Sequence, residues 1–181
     1  MPKTPHSLFM LVILLLLTHL SYADSTTIYH VNDTLMVDVG HCPGEGCIYG
    51  TWTAHENIPV YEHPFDTCRI DLIPSGDTFT AVTGNVYFVP QIVVLDETNY
   101  EHCAYNENGY LHSHPGDTLY ILTNIGEGHY KVRIRDDDGI SDRWENNNYE
   151  AWWVKVSTKN NVAGWIVYKP GLRVSGSDAF E

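Results

Sequence analysis

Positive charge is what this chain has least of. Its 181 residues carry 10 Lys+Arg against 23 Asp+Glu, a formal net charge of −13. A duplex-binding surface needs a basic footprint to displace condensed counterions, and these few cations gather in no patch, which excludes nucleic acid as a partner. Compact reaction motifs are also missing: neither a Gly-x-Ser-x-Gly turn nor a phosphate-cradling glycine loop occurs. The only long apolar run, Leu8 to Leu17, lies near the start. It is about ten residues, too short for a bilayer core that takes roughly 20. With Lys3 as its lone charge and Ser21-Tyr22-Ala23 behind it, residues 1–23 have the form of a secretory signal cleaved after Ala23. Removing those 23 residues and Lys3 leaves 158 residues at a net charge of −14. The expected location is secreted or periplasmic, with no stable membrane insertion after cleavage.

Export gives the four cysteines a meaning. An even number without a thiolate motif, in an oxidising compartment, points to two disulfides. Three connectivities are open. Pro43, Gly44 and Gly46 can reverse the chain between Cys42 and Cys47, so the favoured pairing is Cys42–Cys47 with Cys68–Cys103. The second bridge would close a loop of about 35 residues, worth about 3–4 kcal/mol in the chain-entropy account. A metal reading of His41, Cys42 and Cys47 lacks a second ligand pair at matching spacing.

Beyond residue 23, Val, Thr and Tyr outnumber Leu and Ala, and Gly, Pro and Asn recur too often for long helices. The expected class is all-β. Ala151-Trp152-Trp153-Val154-Lys155-Val156 alternates, Asn160-Asn161 offers a turn, and Gly164-Trp165-Ile166-Val167-Tyr168 completes a hairpin. Tyr130 to Ile134 alternates too. Residues 78–94 read as a strand pair interrupted at Gly84-Asn85 and Pro90. An internal echo links Pro74-Ser75-Gly76-Asp77-Thr78, followed by Val82-Thr83, to His114-Pro115-Gly116-Asp117-Thr118, followed by Leu122-Thr123, at an offset of 40. A second echo, from Gly109-Tyr110-Leu111 to Gly164-Trp165-Ile166, has an offset of 55. Two different offsets mean either two divergent copies with unequal loops, the favoured reading, or a coincidence of turn chemistry, since Gly-Asp-Thr before a strand is common in β proteins.

The entry segment Ile58-Pro59-Val60-Tyr61-Glu62-His63-Pro64, the Gly-Asp-Thr turn, and the closing Trp153-Val154-Lys155-Val156 and Gly164-Trp165-Ile166 resemble the bacterial SH3-like (SH3b) domain. The resemblance covers roughly residues 58–171 and is best at its C-terminal end. It implies small SH3-like barrels, two in tandem and disulfide-stabilised: an extension over 24–57, a first barrel over 58–113, and a second over 114–181 with a polar insert at 135–149. It also implies that Gly164 lets the chain cross a barrel corner while Trp165 fills the core. The function implied is a non-catalytic extracytoplasmic module for a protein or peptide, or for a cell-wall glycan, with no cofactor. The excess acidity favours an uncharged glycan or a basic protein among these.

Candidate site residues follow from the side chains. Aromatics exceed what one small core holds, and Trp152 and Trp153 as neighbours on a strand must face opposite ways, so one of them, with Trp144 and Tyr149, is a candidate ligand platform. The alternative class is a small metal-dependent hydrolase. His112-Ser113-His114-Pro115 resembles the start of the His-x-His-Pro motif of JAMM-type metallopeptidases, but Leu122 and Ile125 stand where that motif places its later Ser and Asp. Asp136, Asp138 and Glu145 around Gly139 suggest calcium, although Ile134 occupies the first ligand place of the loop register. Without a complete ligand set, both stretches are expected to be solvated loops, and no catalytic residue is assigned. Asn32-Asp33-Thr34 is a glycosylation sequon whose meaning depends on a eukaryotic source.

Overall fold

The computed structural model describes residues 28–42, 47–145, 150–169 and 171–177. The expected signal sequence and Tyr149 lie outside them. The strands are β1 (Ile28–His30), β2 (Met36–Val39), β3 (Gly50–Ala54), β4 (Ile58–Tyr61), β5 (Arg69–Ile73), β6 (Thr78–Phe88), β7 (Gln91–Val94), β8 (Tyr105–Asn106), β9 (Gly109–Tyr110), β10 (Thr118–Gly126), β11 (His129–Ile134), β12 (Asp137–Ser141), β13 (Glu150–Ser157), β14 (Ala163–Tyr168) and β15 (Val174–Ser175). They make an all-β protein of two sheets, as the composition predicts. No helix among the described residues is long and apolar enough to cross a membrane.

One sheet runs β1-β2-β6-β13-β14-β4-β5, with β3 joining β6 to β15; the other runs β7-β10-β11-β12-β8-β9. The path β3-β6-β13-β14-β4-β5 therefore recurs as β7-β10-β11-β12-β8-β9, with chain order preserved. The first echo marks this repeat at the level of single hydrogen bonds. The Asp77 amide donates to the Pro74 carbonyl at 3.1 Å and the Asp117 amide to the His114 carbonyl at 3.1 Å. Gly76 donates to Ala54 at 2.8 Å, and Gly116 to Leu95 at 2.7 Å. Both glycines have left-handed φ, 90° and 95°, which explains the residue type.

After each turn the long strand carries a bulge at the same place. On β6 the partners of Val156 and Lys155 are Ala81 and Thr83, leaving Val82 extra. On β10 the register shifts between Ile121 and Asn124. A bulge shifts the alternation and bends the strand. In β6 the buried positions pass from Phe79 and Ala81 to Gly84, Val86 and Phe88, which lets one strand pair with β3 at its start and β2 at its end. Gly84 does not interrupt the strand as expected. It stays a glycine because the Trp152 indole nitrogen and, 2.6 Å from an added Cβ, the Tyr49 hydroxyl lie over it.

The expected division at 113/114 is corrected by the pairing. β13 returns to β6 from Glu150↔Phe88 to Ser157↔Thr80, so the second sheet occupies the β6–β13 connection and the first draws on both ends of the chain. A hairpin with paired ends tolerates such an insertion because closure entropy grows slowly with loop length. The second echo is corrected as well. Gly109 belongs to the β8–β9 hairpin, and the counterpart of Gly164 is Gly139: β14 meets β4 at Trp165↔Tyr61, and β12 meets β8 at Ile140↔Tyr105. Residues 135–149 are likewise not a single polar loop, since 137–141 form β12, paired to β11 across the two-residue turn Arg135-Asp136.

Each sheet has its own core, one around Trp52, Phe79, Phe88, Trp152 and Ile166 and one around Leu95, Leu119, Ile121, Val132 and Ile134. Leu122, in the second bulge, crosses into the first core at 1% exposure, whereas its counterpart Val82 is 54% exposed. Two polar contacts reinforce the junction. Lys131 Nζ lies 2.7 Å from the buried Asp38 carboxylate, and the Thr123 hydroxyl donates to Glu150 Oε1 at 2.7 Å. The Cys42–Cys47 disulfide forms with a Cα separation of 6.2 Å. Cys68–Cys103 does not. Cys68 is exposed in the β4–β5 connection of the first sheet, and Cys103 is buried in the core of the second.

Candidate ligand-binding face

Alternation along β13 aims Trp152 and Trp153 at opposite sides, as the sequence requires. Trp152 enters the first core, 6.1 Å from Trp52 and 4.6 Å from Tyr168 between ring centroids. The expectation that the other indole is exposed is corrected: Trp153 is only 6% exposed, because further rings gather on it. Tyr61 from β4 meets it edge-on at 5.8 Å, and Phe65 from the β4–β5 connection is tilted on it at 5.4 Å. Phe65 also stands edge-on to Tyr87 of β6 at 4.9 Å. Trp165, beside Tyr61 in the pairing, extends the group. It is half-buried on the outer surface with Lys155 Nζ 6.0 Å from its ring, and the core place expected for it is taken by Ile166. The close crossing expected at Gly164 is present, since an added Cβ would lie 2.6 Å from the Tyr61 carbonyl oxygen.

Five rings from four strands and one loop thus form a stripe on the outside of the first sheet. Offset and edge-on aromatic pairs contribute about 0.5–1.5 kcal/mol each beyond burial, yet one of the rings is not packed away. Phe65 is 45% exposed, and its φ of 68° places a bulky side chain in the left-handed region, which costs on the order of 1–3 kcal/mol. The Trp153 indole N–H is buried without a hydrogen-bond partner among the described residues. Glu62, His63, Asp66 and Lys155 around the stripe are exposed, so its margin is polar and carries charge of both signs.

The other candidates do not converge. Trp144 is half-buried against the second core. His112 and His114 are exposed; the His112 carbonyl accepts from Arg135 at 2.6 Å, and His114 Nδ1 lies 3.7 Å from Asp117. Asp138 is engaged by Arg133 through Nε at 2.5 Å and Nη2 at 2.9 Å. Glu145 is exposed beyond β12, and Gly139 sits within a strand, where an added Cβ would lie 2.8 Å from the Tyr105 carbonyl oxygen. That glycine serves strand crossing and not a calcium turn. Among the described residues no three His, Cys, Asp or Glu side chains are grouped to hold a metal.

Two clefts border the sheet junction, of 380 and 590 Å³. Their cations are already engaged: in the first Arg133 by Asp138 and Arg135 by Asp117, and in the second Lys131 by Asp38. Near them, burial raises the pKa of Glu150; the Thr123 hydrogen bond opposes this and the charge of Asp38 adds to it. The residue as a whole is exposed, so the crowding is local to its carboxyl. Sequence reasoning missed Tyr61, Phe65 and Tyr87 as partners of Trp153. The spacing of Tyr61 and Phe65 on either side of Pro64 was visible, but its link to residue 153 is made only by the long-range pairing of β13.

No protein-family model, curated protein or solved structure matches the chain.

Proposed function

We propose that this is an exported, non-catalytic binding module of the bacterial SH3-like kind, which takes an extended ligand on the aromatic stripe of its first sheet. The observation that carries this reading is the gathering of Tyr61 and Phe65 on Trp153, with Tyr87 against Phe65 and Trp165 beside Tyr61, on an outer face where Phe65 is still exposed. A sheet needs no aromatic stripe on its solvent side, and Tyr and Trp provide large contact area at small entropic cost when a peptide or sugar lies across them. Two further facts support the setting. The disulfide fits an oxidising, extracellular-like environment, and the net charge of −13 favours uncharged or basic ligands over anionic polymers.

The test is a nitrogen-15 NMR titration of the intact chain with soluble cell-wall glycan fragments and, separately, with peptides from an envelope digest. The expected result is movement of the Trp153 and Trp165 indole signals by one of these ligands. Movement confined to Trp144, or no movement at saturating ligand, would place binding elsewhere and end this reading.

A further inference from the structure

The β4–β5 connection is an elaboration. Its counterpart in the inserted unit is the two-residue turn Glu107-Asn108, which carries no ring. In the first unit the connection runs from Glu62 to Cys68 and turns Phe65 back onto the sheet. Asp66 fixes that turn: its carboxylate accepts from the His63 amide at 2.9 Å, and its own amide donates to the His63 carbonyl at 3.3 Å. The chain thereby holds a bulky residue at a φ of 68°, where glycine would sit unstrained, without gaining a place in the core for it. What the conformation achieves is to seat the ring on Trp153 and against Tyr87.

We infer that Phe65 is a built-in occupant of the ligand face, so that the β4–β5 connection is an autoinhibitory plug competing with an external peptide that presents an aromatic side chain. The inference rests on the stripe being the ligand site. It deepens that reading by naming the ligand class, because the plug is itself a peptide side chain delivered on a short run of backbone. An incoming peptide takes the Trp153–Tyr87 seat only when Phe65 swings out, and release of the strained backbone offsets part of the cost of opening. Affinity of the resting protein is lowered by the fraction of time the seat is closed.

The test compares the intact wild-type chain with Phe65→Gly, which removes the ring and suits the backbone, and with Asp66→Ala, which frees the turn but keeps the ring. The probes are a synthetic peptide of residues 62–68 with Ser for Cys68, the same peptide with Ala for Phe65, and chitotetraose as a neutral glycan. Binding is read from the Trp153 indole signal, assigned with Trp153→Phe. Phe65→Gly is expected to bind the Phe peptide at least tenfold more tightly than wild type and to ignore the Ala peptide, with Asp66→Ala between them. Equal binding by wild type and Phe65→Gly would leave the face standing and remove the plug. Weaker binding by Phe65→Gly would do the same, making Phe65 part of the platform. A gain for chitotetraose alone would overturn the peptide assignment. No response at Trp153 in any protein would overturn both the plug and the face. Should Phe65→Gly not fold, Asp66→Ala decides by the same comparisons.

Discussion

Gly139→Ala and Gly164→Ala test the nested repeat, because the two glycines hold equivalent crossings in the two sheets. At 164 an added Cβ would lie 2.5 Å from Val60 Cγ1 and 2.6 Å from the Tyr61 carbonyl oxygen; at 139 it would lie 2.7 Å from Leu111 Cδ1 and 2.8 Å from the Tyr105 carbonyl oxygen. A leucine or valine tip can rotate away. The backbone oxygens cannot, because β4 and β8 are held there by their pairing with β14 and β12. Each substitution must therefore separate two strands by several tenths of an ångström, and overpacking of this kind costs about 1–3 kcal/mol. For a chain of this size, 1 kcal/mol moves Tm by about 2–4 °C, so each variant should melt about 2–12 °C lower. Urea unfolding followed by circular dichroism provides the free energies, provided the slope matches wild type. Asn108→Ala, in an exposed turn, serves as the neutral control and should stay within about 0.5 kcal/mol. If Gly164→Ala is destabilised and Gly139→Ala matches the control, the second sheet does not cross β8 closely and the equivalence of the two units fails.

The bulge positions make a second pair: Leu122→Ala should cost about 2–5 kcal/mol, while Val82→Ala should stay within about 0.5 kcal/mol, and similar losses in urea unfolding would contradict the burial difference. Reducing Cys42–Cys47, or replacing both residues with Ser, should cost about 2 kcal/mol for so short a loop, read as a shift of the urea midpoint; no shift would mean that the loop is held by other contacts. Glu150 has a folded-state pKa raised by burial, so the native chain keeps a proton over a window where the unfolded chain has lost it, and stability falls as pH rises through that window. Glu150→Gln should flatten this fall just above the ordinary carboxylate range without lowering stability at pH 7, and an unchanged pH profile would refute the assignment.

Local chemistry made part of this fold readable. Gly-Asp-Thr turns, the alternation in 151–156 and the Asn160-Asn161 turn each depend on a few adjacent residues, and all three appear: the Asn161 amide donates to Thr158 at 2.9 Å and the residue takes a φ of 59°. The offset of 40 was legible because turn and bulge both lie on the near side of the repeat. Its continuation was hidden, since β6 leads to β13 across the inserted sheet while β10 leads to β11 through a turn at Glu127-Gly128. A repeat that keeps its pairing order but changes one loop length by tens of residues has no constant offset. The same long connection concealed the aromatic stripe, and it misdirected the cysteines. Closing Cys42–Cys47 left Cys68 to pair with Cys103, but the insertion puts those two in different units.

The insertion point also bears on function. Trp153 lies three residues beyond Glu150, where the chain re-enters the first sheet, and Tyr87 lies one residue before the paired end of β6 at Phe88. The aromatic stripe is thus built at the mouth of the hairpin that carries the second unit. Leu122, with the Asp38–Lys131 and Glu150–Thr123 contacts, fixes that unit beside the mouth. Nothing in barrel packing requires a side chain at Leu122 to leave its own sheet, as the exposed Val82 demonstrates in the equivalent bulge. A loosely tethered insert would let β6 and β13 fray at their open ends, where Tyr87 and Trp153 must keep their spacing. If the second unit braces the strand ends that bear the aromatic stripe, Leu122→Ala should broaden the Trp153 indole signal before it unfolds the first core, and an unchanged line width would refute the brace.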